Sequence, residues 1–286
     1  MRRKSILWVL ILSLVLISGM ALADEKADSV KLGWENKLNV GLNFTQAEFS
    51  NWTKGGDDVV SWQLNILGSF DYIQDKYNFD TDLKFQYGRN TTGDLGERKT
   101  TDELRTDFVF NYKAWQGQIE PYASVRFLTQ VDDGYKYTDS TAIRISGAFD
   151  PAYLTEAIGL SYIPGKVFKA DLGLAMKQTM TQFFNSPSDD PDTPEIEKFK
   201  NEPGVELVLD LGWEFYEKML LKSKMISFSN LKAADEIDVN WDNIVILEIN
   251  SWLNVNFQFQ IFYDKDVSDQ RQLRQSLAIG LNYSVF

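Results

Sequence analysis

The sequence predicts an all-β protein: an antiparallel up-and-down transmembrane β-barrel of about 12 strands, with a range of roughly 10 to 14. Three observations lead to this prediction. Apolar and polar residues alternate with period two along most of the chain. Short turns alternate with longer loops, and aromatic residues stand near the ends of the predicted strands.

The N-terminus has the pattern of a cleaved signal peptide. Arg2, Arg3 and Lys4 precede an apolar run over residues 6–17, and Ala21-Leu22-Ala23 offers small residues to a signal peptidase. A run of this length is too short for a transmembrane helix, which needs roughly 20 residues. We therefore predict a signal peptide at 1–23, a short periplasmic segment at 24–33 and a barrel at 34–286.

The alternation is clearest in the second half of the chain. Odd-numbered positions from Val205 to Phe215 and from Leu253 to Tyr263 are apolar, whereas the intervening positions are largely polar or small. Helical spacing would scramble these faces. The predicted strands are 34–46, 59–72, 77–87, 101–112, 118–131, 154–163, 168–179, 204–215, 219–228, 239–249, 253–263 and 271–286.

The connections between these strands predict an antiparallel meander. Short turns at 74–76, 115–117, 164–166, 216–218 and 250–252 alternate with longer loops, including 88–100, 132–153 and 181–203. In lipid a sheet must close on itself, because its backbone N–H and C=O groups find no water there. The alternation would place apolar side chains towards the lipid, so we expect an outer-membrane location.

Aromatic residues near the strand ends predict a girdle at the membrane interfaces. The chain also ends in a strand with apolar residues at 277, 279, 281, 283 and 285, followed by Phe286. This end resembles the signal read by the barrel-assembly machinery, which we expect as a partner together with outer-membrane lipid. Phe286 has the opposite parity to the preceding apolar residues, so a bulge is expected. The girdle candidates are Trp34, Tyr72, Tyr77, Tyr87, Tyr112, Trp115, Trp213, Trp252 and Tyr263.

Several segments resemble an uncharacterised, domain-of-unknown-function family of Gram-negative outer-membrane β-barrel proteins, over most of the mature chain. The resemblance implies a barrel in the outer membrane and brings no substrate. It rests on Asn51-Trp52 with Gly55-Gly56, Thr129-Gln130 with Gly134-Tyr135-Lys136-Tyr137, Asp150-Pro151-Ala152-Tyr153, Asp238-Val239-Asn240-Trp241 and Tyr263-Asp264-Lys265-Asp266-Val267.

Composition narrows the chemistry. The 286-residue chain has no His and no Cys, which excludes imidazole bases, thiolate nucleophiles and disulfides. Its formal net charge of −12 makes nucleic acid an unsuitable partner. Asp80 and Asp82 share a face and are an acid–base pair in principle, but solvated lumen residues are the commoner interpretation. We expect no enzyme activity and no cofactor, and the sequence does not indicate an oligomeric state.

Charged residues on the polar parity are expected to point into the lumen. They favour a narrow passive channel or transport-related barrel for small polar or ionic solutes. The alternative is a structural or loop-mediated binding or adhesion barrel, with the lumen filled by ion pairs and no conductance. The candidate lumen residues are Lys84, Arg105, Arg126, Asp80, Asp82, Asp107, Lys169, Asp171, Glu206 and Asp210, together with Lys177, Glu214 and Arg274.

The loop at 186–204 contains Asp189, Asp190, Asp192, Glu195 and Glu197, whose oxygens suit Ca²⁺, although the EF-hand spacing is absent. A solvated acidic loop is the simpler interpretation. The external loops also offer Trp52, Tyr135 and Tyr137 as aromatic contacts for a ligand. A soluble secreted β-sandwich or lipocalin-like binder is the alternative fold, because it would share the two-residue period.

Overall fold

The computed structural model describes residues 32–48, 57–115, 117–138, 141–190, 193–233, 237–264 and 270–284. The predicted signal peptide at 1–23 and all but the last two residues of the 24–33 segment lie outside the described residues, as does Phe286. The described residues contain no helix long and apolar enough to cross a membrane.

The described strands form a closed antiparallel barrel of twelve strands and a separate two-stranded hairpin. Around the ring the order is β1, β2, β3, β4, β5, β8, β9, β10, β11, β12, β13 and β14, and every barrel pair is antiparallel. The strands are β1 Gly33–Ala47, β2 Val59–Ile73, β3 Tyr77–Thr92, β4 Glu97–Tyr112, β5 Ile119–Thr129, β6 Gly134–Tyr137, β7 Ala142–Ser146, β8 Ala152–Tyr162, β9 Phe168–Met180, β10 Phe199–Tyr216, β11 Met219–Asn230, β12 Ile237–Glu248, β13 Leu253–Tyr263 and β14 Gln272–Ser284.

The predicted fold class is confirmed, and each of the twelve predicted strands corresponds to a barrel strand. The predicted long loop at 88–100 is mostly strand. The turn itself is only a 3₁₀ segment at Gly93–Leu95 followed by Gly96. Gly93 and Gly96 adopt φ angles of 47° and 72°. This left-handed backbone suits glycine and lets the chain reverse tightly. The segment at 132–153 also holds the β6–β7 hairpin, which alternation over so few residues does not reveal.

The barrel is polar inside and apolar outside. Among the described residues, the buried set holds 23 polar or charged side chains and only six apolar ones. Large apolar side chains are instead exposed on the outer wall, as with Ile158, Leu174 and Leu277 at 65%, 62% and 72%. A water-soluble sandwich would bury these residues in a core, so this inversion is the property of a wall that faces lipid.

The ring closes where the first and last strands meet. β1 and β14 are paired over Asn39–Asn43 and Gly280–Ser284, five residue pairs in all, whereas β1 and β2 are paired over fifteen. Beyond Asn43, the described part of β1 pairs only with β2, and residues 272–279 of β14 pair only with β13. This seam has the shortest ladder between neighbouring strands of the described barrel.

Candidate functional site

The interior of the barrel is crossed by ion pairs between opposite walls. Arg105 on β4 and Asp242 on β12 are separated by five strands in either direction around the ring. Their side chains nevertheless meet, with Arg105 Nη1 3.3 Å from Asp242 Oδ2. The same carboxylate accepts a hydrogen bond of 2.8 Å from Lys84 Nζ on β3. The lumen is therefore bridged at this level.

The bridge continues as a layer of alternating charges. Lys84 Nζ also lies 3.0 Å from Glu103 Oε1, and Arg105 Nε lies 3.6 Å from Asp107 Oδ2. Arg126 Nε donates to Asp107 Oδ1 at 2.7 Å, while its Nη1 donates to Glu206 Oε2 on β10. We call these residues, namely Lys84, Glu103, Arg105, Asp107, Arg126, Glu206 and Asp242, the ionic layer.

The ionic layer is shielded from solvent. Each of its members is at most 9% exposed, and Glu206 and Asp107 are only 1% and 2% exposed. Buried charges are tolerated when they are paired and hydrogen-bonded, since leaving one without a partner costs several kcal/mol. Every member of the layer has an oppositely charged neighbour, although Glu103 Oε1 and Asp242 Oδ1 have no hydrogen-bond partner among the described residues. The polar face predicted from sequence therefore fills the centre of the barrel.

Two cavities lie on either side of the ionic layer. One, of about 190 Å³, is lined by Asp80, Lys169 and Asp210 towards the short turns. The other, of about 90 Å³, is lined by Tyr153, Lys177 and Phe228 towards the long loops. Arg126 lines both cavities, so its side chain forms part of the wall between them.

The ten candidate lumen residues all meet oppositely charged side chains in the interior. Five of them belong to the ionic layer, and the other five line the first cavity next to it. The remaining contacts are longer: Lys169 Nζ lies 3.7 Å from both Asp80 and Asp171. Lys177 forms a separate pair of contacts with Asp238 and Asp264, at 2.7 and 3.2 Å.

Sequence reasoning did not single out several charged residues of this interior, among them Glu103, Lys224 and Asp242. Glu103 lies on the same face of its strand as Arg105, so the alternation in the sequence predicts that it also points inward. Lys224 and Asp242 lie on β11 and β12, where apolar residues such as Leu220 and Leu221 occupy both parities and obscure the inner face. Lys224 Nζ lies 2.7 Å from Asp107 Oδ2 and 3.4 Å from Asp82 Oδ2.

Most of the candidate girdle residues lie at the short-turn end. Trp34, Tyr72 and Tyr77 form a line of rings with centroid separations of 5.0 and 6.3 Å, which continues to Phe110 at 5.8 Å. The other residues at this end are Tyr112, Trp115, Trp213 and Trp252. Tyr87 and Tyr263 lie towards the long loops. Tyr87 packs against Trp62 and donates a hydrogen bond to Asp132 at 2.6 Å.

Buried carboxylates attach the long loops to the barrel. Asp102 Oδ1 and Oδ2 each accept a backbone N–H at 2.9 Å, from Val131 and Asp132. Asp150 is 3% exposed and accepts the N–H groups of Gln182 and Phe183, at 3.0 and 2.7 Å. The Thr129-Gln130 and Asp150-Pro151 segments quoted above are therefore joined at one loop attachment, where Gln130 donates to the Asp150 carbonyl at 3.0 Å.

The acidic loop uses its side chains to hold its own backbone. Glu197 Oε1 accepts a hydrogen bond of 2.6 Å from the Thr193 hydroxyl, and this bond lowers the pKa of Glu197. Asp189 Oδ1 accepts the Glu197 N–H at 3.0 Å. In the described part of the chain, no three acidic side chains are grouped in a way that would hold a metal ion. Asp192 and Trp52 lie outside the described residues, while Tyr135 and Tyr137 stand on β6 with ring centroids 6.2 Å apart.

Residues 44–135 match a family model described as "Protein of unknown function (DUF3078)". The predicted resemblance to a domain-of-unknown-function family is thereby confirmed over this segment. Of the segments quoted for the resemblance, Asn51–Gly56 and Thr129–Tyr135 fall within it. No curated protein matches the chain.

Solved structures with a similar fold include an outer membrane channel from Pseudomonas putida F1, at 12% identity and a TM-score of 0.41, covering 92% of this chain and 97% of that one. The translocator domain of the autotransporter NalP from Neisseria meningitidis matches at 12% identity and a TM-score of 0.40, covering 90% of each chain. OmpT, an outer membrane protein of Vibrio cholerae, matches at 10% identity and 0.31, covering 91% and 98%. At these scores the likenesses carry no argument about function.

Proposed function

We propose that the chain is a non-enzymatic outer-membrane β-barrel whose lumen is closed at rest by the ionic layer. The proposal favours the filled-lumen alternative over an open narrow channel. The observation that supports it most directly is the contact of 3.3 Å between Arg105 and Asp242, because these residues project from diametrically opposite strands.

Barrel size adds support to this interpretation of the contact. A barrel of about twelve strands falls between those filled by side chains and those that leave an aqueous channel. When side chains from opposite walls lie within hydrogen-bond distance, a hydrated ion cannot pass without separating them. Each separation would leave charges unpaired in a region of low dielectric constant, which is costly.

Planar-bilayer recording of the refolded full chain tests the proposal, with the gel mobility of unheated and boiled samples reporting the folded barrel. We expect the wild type to be silent at steady state. The double variant Arg105→Ala/Asp242→Ala removes one charge of each sign and shortens both side chains, so we expect discrete conductance steps. The double variant Arg144→Ala/Asp133→Ala removes an exposed loop pair and should stay silent.

Sustained conductance by the wild type, unchanged in the Arg105→Ala/Asp242→Ala variant, would overturn the closed-lumen proposal. If that variant did not give a heat-modifiable band, Arg126→Ala/Glu206→Ala would test the same layer at a second pair. Fractionation of inner and outer membranes tests the proposed location separately.

A second candidate is a narrow channel that opens transiently for small polar or ionic solutes. The two cavities favour it, because the ionic layer and Arg126 stand between two spaces that already hold room for a solute. Brief openings of the wild type, with an ion preference that changes when Lys84 and Arg105 are both replaced by Gln, would support this candidate. Openings with unchanged selectivity would count against it.

A further inference from the structure

The larger cavity lies between the ionic layer and the short-turn end of the barrel, and its lining is acidic. Strands β2, β3, β4, β5, β9, β10 and β11 all contribute side chains to its volume of about 190 Å³. Its charged lining comprises six carboxylates and three cations. The carboxylates are Asp71, Asp80, Asp82, Asp107, Asp171 and Asp210, and the cations are Arg126, Lys169 and Lys224.

The cations of this cavity do not pair equally with its six carboxylates. Asp107 forms the two shortest ion pairs, at 2.7 Å from both Arg126 and Lys224. Lys224 Nζ then lies 3.4 Å from Asp82 and 3.9 Å from Asp210.

Lys169 serves two further carboxylates, Asp80 and Asp171, both at 3.7 Å. Asp71 contacts the Ser69 hydroxyl at 2.9 Å. Four carboxylates therefore lie 3.4 to 3.9 Å from two ammonium groups, and Asp71 contacts a hydroxyl, so the lining has an excess of formal negative charge.

Two polar atoms of the lining lack a hydrogen-bond partner among the described residues. They are Asp171 Oδ1 and the hydroxyl oxygen of Tyr122, and each residue is only 5% exposed. A buried polar atom without a partner costs about 1 to 3 kcal/mol. Both residues line the cavity, so the N–H groups of a bound ligand are candidate partners for these two atoms.

We propose that this cavity binds a small organic cation that carries ammonium groups. The uncompensated carboxylates supply its charge recognition, and Asp171 Oδ1 and Tyr122 accept its N–H groups. Val109 and Val208 offer apolar wall for the methylene groups between them. A bare metal ion fits less well, because no three acidic side chains of the described chain are grouped to hold one.

The ligand would enter from the short-turn end. The side chains of Asp82 and Asp210 are 52% and 45% exposed, whereas the ionic layer closes the opposite side of the cavity. The site requires a closed barrel and the ionic layer that forms one end of the cavity. It does not require conductance, so ligand binding and ion conduction can be measured as separate properties.

Isothermal titration calorimetry of the refolded full chain with putrescine tests the proposal, with the diol of the same chain length as an uncharged control. We expect saturable binding of putrescine that weakens with rising salt, and no binding of the diol. Asp171→Asn keeps the shape of the side chain and should weaken binding by about tenfold or more, as expected for a hydrogen bond to a charged group.

Glu97→Gln is the matched control, because Glu97 is an exposed acid at the long-loop end of β4, 2.9 Å from Arg89, and lies outside the cavity. It should leave the putrescine affinity unchanged. Gel mobility confirms that each variant is folded before titration, and Tyr122→Phe provides a second substitution that keeps the ring in place.

Absence of putrescine binding to a folded, heat-modifiable barrel would overturn the proposal, as would equal losses in Asp171→Asn and Glu97→Gln. Mg²⁺ that displaced putrescine at equal concentration would overturn the organic-cation assignment in favour of a general cation site. Conductance recordings on the same preparations test the closed-lumen proposal separately. A barrel that conducts and also binds putrescine would contradict the closed-lumen proposal but not the cation site.

Discussion

Lys84 and Asp242 are joined by a hydrogen bond of 2.8 Å across the barrel interior, although 158 residues separate them in the chain. Asp242 also lies 3.3 Å from Arg105, so one carboxylate compensates two buried cations. Strands β3, β4 and β12 are thereby tied together through the lumen as well as through the wall. Removing this carboxylate would affect more than one contact.

We therefore predict that Asp242→Asn lowers the free energy of unfolding by about 3 kcal/mol or more, because Lys84 and Arg105 would lose their shared counter-charge in a buried site. Asp133→Asn removes the partner of Arg144 in an exposed loop and should cost about 0 to 1 kcal/mol. Urea unfolding in lipid vesicles, followed by tryptophan fluorescence, measures both. Equal effects of the two substitutions would show that the ionic layer is not a stabilising element.

Asp102 is predicted to hold the connection between β5 and β8 against the barrel. Asp102→Ala removes the acceptor of two backbone N–H groups and the partner of Lys99, whose Nζ lies 2.7 Å away. We expect limited proteolysis to cut this connection at least about tenfold faster, since each lost hydrogen bond contributes roughly 1 kcal/mol or more. Asp94→Ala in the β3–β4 turn is the control, and comparable cleavage rates in both variants would refute this role.

The hydrogen bonds that Asp132 accepts from Tyr87 and Arg89 are predicted to weaken at acid pH. Hydrogen bonds donated by Tyr87 and Arg89 lower the pKa of Asp132 to about 2. A depressed pKa in the folded state means that the stabilisation is complete above the unfolded-state pKa of about 3.9 and is lost as the pH falls towards about 2. Pepsin cleavage of the loop should therefore accelerate between about pH 4 and pH 2, beyond the enzyme's own pH dependence. Asp132→Asn should remove this acceleration, and a variant that keeps it would contradict the assignment.

Gly173 on β9 is predicted to be required for close packing inside the barrel. A Cβ atom there would lie 2.5 Å from the Ile158 carbonyl oxygen and 2.6 Å from the Tyr122 hydroxyl, so Gly173→Ala must displace backbone. We expect a loss of about 1 to 3 kcal/mol in the free energy of unfolding. Gly212→Ala on β10 is the matched control, because nothing lies within 4 Å of its added Cβ. The prediction fails if both variants unfold at the same urea concentration.

The strands were predictable because most of them repeat a simple physical pattern. Val205 to Phe215 and Leu253 to Tyr263 alternate with few exceptions, and a wall between lipid and a polar interior favours that alternation. The β6–β7 hairpin was missed because strands of four and five residues are too short for a period to be recognised. The extension of β3 and β4 past residue 88 was missed because its polar residues read as a loop.

The contacts of the interior were much less predictable than the strands. Parity indicates that Arg105 faces inward, but its meeting with Asp242 depends on strand number, stagger and the radius of the closed ring. The inward orientation of Lys224 could not be predicted, because the two faces of β11 have similar polarity. A pattern along one strand therefore identifies a face, whereas partners across the lumen require the assembled barrel.

The seam between β1 and β14 bears on how the barrel forms. Its ladder, which has five residue pairs among the described residues, joins the strands that are farthest apart in the sequence. Until β14 docks, the preceding strands make an open sheet with two free edges, each able to pair with another chain. Among the described residues this ladder has the fewest residue pairs of the barrel and closes the longest loop, so we expect ring closure to be the step at which assembly is most vulnerable to aggregation.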